Sequence, residues 1–443
     1  MSNMNPTALF GKHRMMLPFV ILMVAFIVKA TVLFVGLPAI TEVLSPRYAV
    51  GFADDYDRLA DNIVQGNGYR IEPSLTETML REPGYPLFLA GVFKFGGYNI
   101  VAARLANLLL AVGIALMIVR LAQRVADDRL TGLIAALIFL FHPGIVVAEA
   151  RGGVEMLFIV AVMLFMLTIH SAVIKGDLWR YFVAGAALGF AVLIRSTPLL
   201  FPIFLFFYII IIDGNASGRL RLVQKHLVLV IGMATVMSPW VIRNYALVHE
   251  FVPTGTVQGH AAQEGLYTCK RLTFDQGFQK LQGESAGERN KVASELGVPF
   301  KGGYYQLFYS AKDEVAFNRK LLQKVATEYQ EDPILLAKCV TRNIFNFWFL
   351  GKTWQATGFN LLVQLPLLMM ALGGVYVLLK QGRLRRAGII LIFMIYVMAV
   401  HLPIIAHTRH SIPLLPFLAI LASVSLVTIW RGYKSKIEVT PRI

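Results

Sequence analysis

The sequence predicts an all-α polytopic membrane protein with about ten transmembrane helices. Of its 443 residues, 56% are hydrophobic, and the mean hydropathy is +0.62. A soluble domain of this size does not need so much apolar surface for its core. The apolar residues also gather in runs of about 17–25, which is the length that crosses a bilayer as a helix.

The apolar runs define the predicted spans. In chain order they are Leu17–Ile40, Asn99–Arg120, Leu130–Val147, Val154–Ile174, Trp179–Arg195, Pro198–Ile212, His226–Tyr245, Asn360–Leu379, Ala387–Ile405 and Ile412–Trp430. The segment before the first run, Met1–Arg14, is polar and basic, and that run lacks a clean small-residue cleavage site. We therefore expect an uncleaved first span rather than a signal peptide.

Basic residues in the short loops predict the orientation of the chain. With ten spans both termini lie on one side, and that side collects Lys12, Arg14, Arg120, Arg124, Arg129, Lys175, Arg180, Arg219, Arg221, Lys225, Lys380, Arg383, Arg385, Arg386, Arg431, Lys434 and Lys436. By the positive-inside rule this side is cytoplasmic. The net charge of +16 is therefore topogenic, and the bilayer rather than a nucleic acid is the expected partner.

Two segments are expected on the outer side. The predicted organisation is a core of residues 1–247 that includes a first loop, 42–98, then a cap segment, 248–359, and C-terminal spans, 360–443. In the first loop a half-apolar helix begins near Tyr56, with Asp54 or Asp55 available to cap it, and it should lie in the membrane interface. Gly66 and Gly68 end it. The cap segment is helix-compatible at Ala311–Tyr329 and Pro333–Phe347.

Short motifs in two outer loops, at the end of one span and at the head of another carry a family resemblance. The first loop contains an acidic pair followed by Tyr56-x-x-x-Ala, then Gly-x-Gly-Tyr69, and then Arg81-Glu-Pro-Gly-Tyr-Pro. Two further motifs follow later in the chain, Pro-Trp-x-x-Arg243-Asn-Tyr and Arg409-His-x-x-Pro. In this order the motifs resemble the C-type (GT-C) glycosyltransferases, polytopic enzymes that take a sugar from a polyprenyl-phosphate carrier. Bacterial members include protein mannosyltransferase-like enzymes and the lipid A aminoarabinose transferase. In the family, Tyr stands where this chain has His410.

The resemblance implies a GT-C fold and a membrane glycosyltransferase that inverts the anomeric carbon. It implies a carboxylate base at Asp54 or Asp55, and a second acid that matches Glu155 at the head of a span. One base suffices, because an acceptor hydroxyl must lose a proton, whereas a phosphate leaving group needs none. Its donor would be a polyprenyl-phosphate sugar. Its acceptor would be an envelope glycan, lipid or protein at the periplasmic face of the bacterial inner membrane.

Cations must hold the charge of the departing phosphate. The resemblance points to Arg81, Arg243 and Arg409, with His410 beside the last. Candidate contacts to acceptor or sugar are Tyr56, Tyr85, Glu149 and Tyr304. No cofactor is expected, because His401, His407 and His410 are not spaced as a zinc motif. The question of a divalent metal stays open.

Two rival functions remain open at the sequence level. An O-antigen ligase or polymerase would use a diphosphate carrier and an Arg-rich outer loop. A lipid or solute transporter should carry charges mid-span and broken spans in repeated halves, whereas here the acids lie at span ends. The two cysteines, Cys269 and Cys339, both fall in the cap segment. A disulfide between them is a hypothesis, because an outer compartment permits one.

Overall fold

The computed structural model describes residues 20–36, 52, 54–213, 219–271 and 278–439. The basic tail Met1–Arg14, both ends of the predicted first span (17–19 and 37–40) and Lys436's side chain lie outside the described part. The helices are α1 Val20–Gly36, α2 Tyr56–Val64, α3 Gly84–Gly96, α4 Ile100–Ala126, α5 Arg129–Phe141, α6 Pro143–Ala150, α7 Glu155–Lys175, α8 Leu178–Ile194, α9 Phe201–Asp213, α10 Arg219–Val248, α11 Val257–Arg271, α12 Phe278–Ser294, α13 Ala311–Glu331, α14 Pro333–Phe349, α15 Trp354–Lys380, α16 Leu384–His401 and α17 Leu415–Val439.

The all-α membrane fold is confirmed. Within the described residues, six helices are long and apolar enough to cross a membrane, or seven if α5 and α6 form one bent span. Three shorter apolar helices, Val20–Gly36, Leu178–Ile194 and Thr197–Ile211, correspond to the other predicted segments. The orientation of the chain in the membrane stays a prediction.

One predicted span is broken where the sequence analysis expected a continuous helix. The segment Leu130–Val147 is divided into α5 and α6, which are bent by 52°. Pro143 has no backbone N–H to continue the α5 ladder. His142 adopts an extended conformation, and its Nδ1 accepts a hydrogen bond from the Gly144 N–H at 3.1 Å. The imidazole thus caps the new helix instead of extending the old one.

Glycines allow the long apolar helices to approach closely. A Cβ on Gly185 of α8 would lie 1.8 Å from the Leu229 carbonyl oxygen of α10. A Cβ on Gly374 of α15 would lie 1.8 Å from the Leu421 carbonyl oxygen of α17. In lipid, helices associate through such close backbone contacts because burial of apolar surface offers little gain.

The first loop contains α2 and the 13-residue α3. Gly66 and Gly68 follow α2 with positive φ angles of 79° and 85°, so the predicted glycine stop is confirmed. The predicted carboxylate cap is wrong. Asp55 occupies the N-cap position, but its side chain makes no capping hydrogen bond. The carboxylates of Asp54 and Asp55 bind arginines instead, as described below.

The described residues of the cap segment form four helices and a two-stranded antiparallel sheet. The strands are β1 Phe300–Lys301 and β2 Leu307–Phe308, with Phe300 opposite Phe308. Both predicted helices are present as α13 and α14, while the polar helices α11 and α12 were not predicted. Cys269 of α11 and Cys339 of α14 form a disulfide with a Cα–Cα distance of 5.6 Å.

The cap segment is fastened to the first loop by a buried glutamate. Glu314, in the first turn of α13, accepts hydrogen bonds from the Thr78 hydroxyl at 2.6 Å and the Met79 N–H at 3.0 Å. The Thr256 hydroxyl is a third donor. Burial raises the pKa of Glu314, and the three donors satisfy its oxygens. This connection places the cap beside Asp54.

Candidate active site

Asp54 lies between two arginines from distant parts of the chain. Arg409 Nη1 is 2.5 Å from Asp54 Oδ2, and Arg81 Nη2 is 3.7 Å from Asp54 Oδ1. Arg81 Nε also donates to the Asp54 backbone carbonyl at 3.3 Å. Burial alone would raise the pKa of Asp54, but the charges of Arg409 and Arg81 outweigh it and hold this pKa well below its usual range. Asp54 is therefore ionised at neutral pH.

Asp55 faces a different set of groups. Its Oδ1 lies 3.3 Å from Arg58 Nη1, and both side chains are partly exposed. Asp54 and Asp55 both have left-handed backbones, with φ of 69° and 58°. Such a conformation is uncommon for non-glycine residues, although aspartate tolerates it best. Of the two neighbouring carboxylates, that of Asp54 lies between Arg81 and Arg409.

Glu155 shares Arg409 with Asp54. It is the first residue of α7 and only 2% exposed. Arg409 Nε donates to Glu155 Oε1, and Arg195 Nη1 lies 3.8 Å from the same oxygen. A Cβ at position 153 would lie 2.2 Å from Glu155 Oε2, so the carboxylate fits only because Gly153 has no side chain.

These five residues, Asp54, Arg81, Glu155, Arg195 and Arg409, are here called the charged cluster. They come from the first loop, the head of α7, the end of α8 and the short 3-10 turn Thr408–His410. The predicted candidates Asp54, Arg81, Glu155 and Arg409 thus converge. Their separation along the sequence means that only the folded chain brings them together.

Arg81 is enclosed by aromatic rings. Its guanidinium carbon lies 5.1 Å from the Tyr56 ring centroid and 4.7 Å from that of Tyr305. The Tyr305 hydroxyl contacts Arg81 Nη2 and lies 3.4 Å from Asp54 Oδ1. Burial raises the pKa of Tyr56 to about 12, so this hydroxyl stays protonated. Rings and carboxylate together fix the guanidinium in one orientation.

Sequence reasoning missed Tyr305 and Arg195. It selected the adjacent Tyr304, which points away from the cluster: the Tyr304 hydroxyl donates to Glu264 Oε2 at 2.6 Å. Arg195 was noted only as the end of a span. It lies at the outer end in the predicted topology, where the positive-inside rule does not place arginine. This exception to the rule was the sequence signal that could have identified Arg195.

Arg243 is engaged by the first loop. Its Nη2 lies 3.0 Å from Glu77 Oε2, and its Nη1 donates to the Thr78 carbonyl at 2.9 Å. Its guanidinium also stacks over Trp240 at 4.6 Å. None of these partners belongs to the charged cluster. The contacts describe a residue that positions the first loop, and its predicted phosphate role stays a prediction.

Two candidate acceptor contacts are closed off from solvent. Glu149 pairs with Lys29 of α1 at 2.9 Å, and neither side chain is more than 1% exposed. The Tyr85 hydroxyl donates to the Gly152 carbonyl, and Tyr85 is fully buried. Both residues support the site by packing, and a direct contact to sugar or acceptor stays a prediction for each.

His410 lies in a group of three neighbouring imidazoles. Its ring centroid is 4.1 Å from that of His407 and 4.5 Å from that of His401. His410 Nδ1 accepts a hydrogen bond from the His407 N–H at 3.3 Å. Within the part of the chain that the structure describes, no cluster of three or more His, Cys, Asp or Glu side chains is arranged to hold a metal ion.

Comparison with known proteins adds family information. Residues 81–242 match the family model described as dolichyl-phosphate-mannose-protein mannosyltransferase. No curated protein matches the chain by sequence. The apo oligosaccharyltransferase of Archaeoglobus fulgidus is similar in structure, with a TM-score of 0.57 and 14% identity over 96% of this chain and 52% of that one.

Two further solved structures are similar. Archaeoglobus fulgidus AglB, in complex with an inhibitory peptide and a dolichol-phosphate, has a TM-score of 0.52 and 14% identity over 96% of this chain and 52% of its own. ArnT from Cupriavidus metallidurans bound to undecaprenyl phosphate has a TM-score of 0.39 and 13% identity over 98% and 82%.

What these matches establish depends on how much of each chain they cover. The chain spans about half the length of the archaeal structures, 52%, and similarity at this identity shows the fold. The matched family segment begins at Arg81 of the charged cluster and includes Glu155 and Arg195. The chain therefore has the fold of the archaeal oligosaccharyltransferase over most of its length, and its residues 81–242 resemble the mannosyltransferase family.

Proposed function

We propose that the chain transfers a monosaccharide from a polyprenyl-phosphate carrier to an acceptor at the periplasmic face of a bacterial inner membrane. The observation that carries the proposal is the position of Asp54, a partly buried carboxylate bound by Arg409 and flanked by Arg81. A sugar transfer from a lipid phosphate needs a base for the acceptor and cations for the leaving group. The charged cluster offers both within one site.

The charge balance of the cluster suits a phosphodiester. Three guanidinium groups, those of Arg81, Arg195 and Arg409, face two carboxylates, which leaves one excess positive charge. Glu82 is also buried nearby, but burial raises its pKa and so favours its uncharged form. A polyprenyl-phosphate sugar carries one negative charge, which the excess cation can neutralise. Arginine binds phosphate oxygens well because its planar donors match their geometry.

Phosphate binding would also change the pKa of the proposed base, Asp54. Without carrier, Arg409 and Arg81 depress the pKa of Asp54, which makes its carboxylate a weak proton acceptor. A phosphate that shares these two arginines brings a negative charge beside Asp54, and a like charge raises a carboxylate's pKa. Asp54 would then become a better base only when donor is bound.

The proposed step breaks the bond between the anomeric carbon and the carrier phosphate oxygen. The acceptor hydroxyl oxygen forms the new bond from the opposite face, its proton passes to the Asp54 carboxylate, and the phosphate leaves with the bonding electrons. This geometry inverts the anomeric carbon. Glu155 would act through Arg409, holding the guanidinium between the base and the phosphate.

The proposed acceptor is an envelope glycan, lipid or protein. Both termini of the chain are proposed to lie in the cytoplasm. The expected orientation supports this reaction side, because the first loop and the cap segment lie opposite the basic loops. Lipid-linked donors also suit that face, where nucleotide sugars are not supplied.

Release of the carrier tests the proposal. Purified full-length protein in nanodiscs is incubated with polyprenyl-phosphate mannose or glucose and a bacterial envelope extract, and free polyprenyl phosphate is measured. Release should depend on Asp54 and on the extract. Release of polyprenyl diphosphate from a diphosphate-linked glycan would indicate a ligase or polymerase instead. Movement of intact carrier between leaflets without release would indicate a transporter.

A further inference from the structure

A second surface lies apart from the charged cluster, in a groove of about 1000 Å³ between α14 and the start of α15. Its walls are mainly apolar, with Ile334 and Phe345 on α14 and Trp354 and Leu361 on α15. Ile334 is 81% exposed, so this part of the groove is open.

Two basic side chains line the same groove. Lys338 and Arg342 are four residues apart on α14, so they lie one above the other on one helix face. Arg342 Nη1 donates to the Cys269 carbonyl at 3.1 Å, which fixes this side chain next to the disulfide. Lys338 has no acidic partner within the described residues, so its charge is available to an anion.

The groove combines apolar and basic side chains. Lys338 precedes Phe345 by seven residues, which corresponds to about 10 Å along a helix. The helix α15, a candidate membrane span of 27 residues, begins at Trp354, five residues after the end of α14. The groove therefore lies at the head of this candidate span, and on α14 its basic pair is flanked by the apolar side chains of Ile334 and Phe345. A lipid offers the matching groups, apolar chains and a charged head.

We propose that this groove binds an anionic bilayer lipid, with its acyl chains against Phe345, Trp354 and Leu361 and its headgroup phosphate at Lys338 and Arg342. Charge complementarity and the position at the head of a span favour this occupant. The carrier phosphate has its proposed place in the charged cluster, so this basic pair serves a second phosphate.

Both walls of the groove are tied to the segment that carries Arg409. Asn343, on the opposite face of α14, donates to the Leu402 carbonyl at 2.8 Å. Asn360 of α15 donates to the Thr408 hydroxyl at 2.9 Å. A lipid bound between α14 and α15 thus contacts the two helices that also hold the segment of Arg409.

Quenching of Trp354 by brominated lipids tests the proposal without any sugar transfer, so its result is independent of the proposed function. Full-length protein is placed in nanodiscs of phosphatidylcholine with increasing brominated phosphatidylglycerol or brominated phosphatidylcholine. The difference between wild type and Trp354→Phe isolates the signal from the groove. Phosphatidylglycerol should quench at about a fivefold lower mole fraction, the preference expected from one basic residue near a lipid surface.

Lys338→Gln should remove most of that preference, and 0.5 M NaCl should reduce it in the wild type because salt screens exposed charges. Lys291→Gln is the matched control. Lys291 is an exposed lysine on α12, paired with Glu288 at 2.9 Å, and this variant should keep the preference. Equal quenching by both lipids would show that only bulk lipid fills the groove. Reversal by polyprenyl phosphate but not by unbrominated phosphatidylglycerol would assign the groove to the carrier. Either result would overturn the proposal.

Discussion

Arg409 connects the two carboxylates of the charged cluster, so its removal is a sharp perturbation. Its Nη1 lies 2.5 Å from Asp54, and its Nε donates to Glu155. In Arg409→Ala, Asp54 keeps Arg81 at 3.7 Å and Glu155 keeps Arg195 at 3.8 Å. Removing one partner of a fully buried charge pair costs about 3–5 kcal/mol of stability. Because the Arg409 side chain is 31% exposed and weaker partners remain for both carboxylates, we expect a loss below about 3 kcal/mol.

Carrier binding should suffer as well. Loss of one partner of a desolvated charge pair costs about 2–5 kcal/mol of binding, so affinity for polyprenyl phosphate should fall at least roughly 30-fold. Arg409→Lys keeps the charge but not the bidentate geometry and should fall in between. Titration of short-chain polyprenyl phosphate into purified variants measures this. The control is Arg319→Ala, which removes an exposed cap arginine paired with Glu250 and should leave affinity unchanged.

The pH dependence follows from Asp54. Its pKa is depressed in the folded protein, so its pairs stabilise the fold fully above the unfolded pKa of about 3.9, and this contribution is lost as the pH falls toward the folded value. Arg409→Ala raises the folded pKa. The acid limb of the turnover profile should therefore move to higher pH, and the acid-sensitive part of the stability should shrink. Unchanged carrier affinity together with an unmoved acid limb would refute the assignment.

Three further predictions concern residues around the cluster. Tyr305→Phe removes one hydroxyl that contacts a charged pair, so turnover should fall roughly tenfold or more, given about 1.5–3 kcal/mol for such a hydrogen bond; near-normal turnover in steady-state kinetics would exclude this role. Reduction of Cys269–Cys339, which closes a separation of 70 residues, should lower the unfolding temperature by an amount equivalent to about 4 kcal/mol at most, whereas two alkylated thiols in unreduced, denatured protein would show that no bridge forms. Lys29→Met alone should destabilise the fold by about 3–5 kcal/mol and Lys29→Met with Glu149→Gln by less, measured as a double-mutant cycle in which simple additivity would argue against a buried pair.

The elements predicted from sequence are those with a local signal. Apolar runs identified the spans because a helix in lipid must satisfy its own backbone. The glycine pair after α2 and the helices at Ala311 and Pro333 also follow from nearby residues. The bend at Pro143 was visible as a proline within an apolar run, but the apolar length favoured one span.

The choice between Asp54 and Asp55 had no local signal. The two residues are adjacent and chemically identical, and the difference comes from Arg409, which lies more than 350 positions away along the chain. For the same reason, the partner of Glu149 was not predicted, since Lys29 belongs to another span. The motif around Arg243 was recognised, yet its contacts with the first loop depend on tertiary packing.

The most direct test of the central claim compares Asp54→Asn with Asp55→Asn. Both substitutions remove one charge from neighbouring residues, so each serves as the other's control. Among the described residues, Asp55 pairs with the partly exposed Arg58, a kind of contact worth about 0–1 kcal/mol. The account predicts that Asp54→Asn lowers carrier release about 10²–10⁴-fold, the usual contribution of a positioned base, and that Asp55→Asn stays within about threefold of wild type. Near-normal release by folded Asp54→Asn would contradict the account, and so would a loss confined to Asp55→Asn.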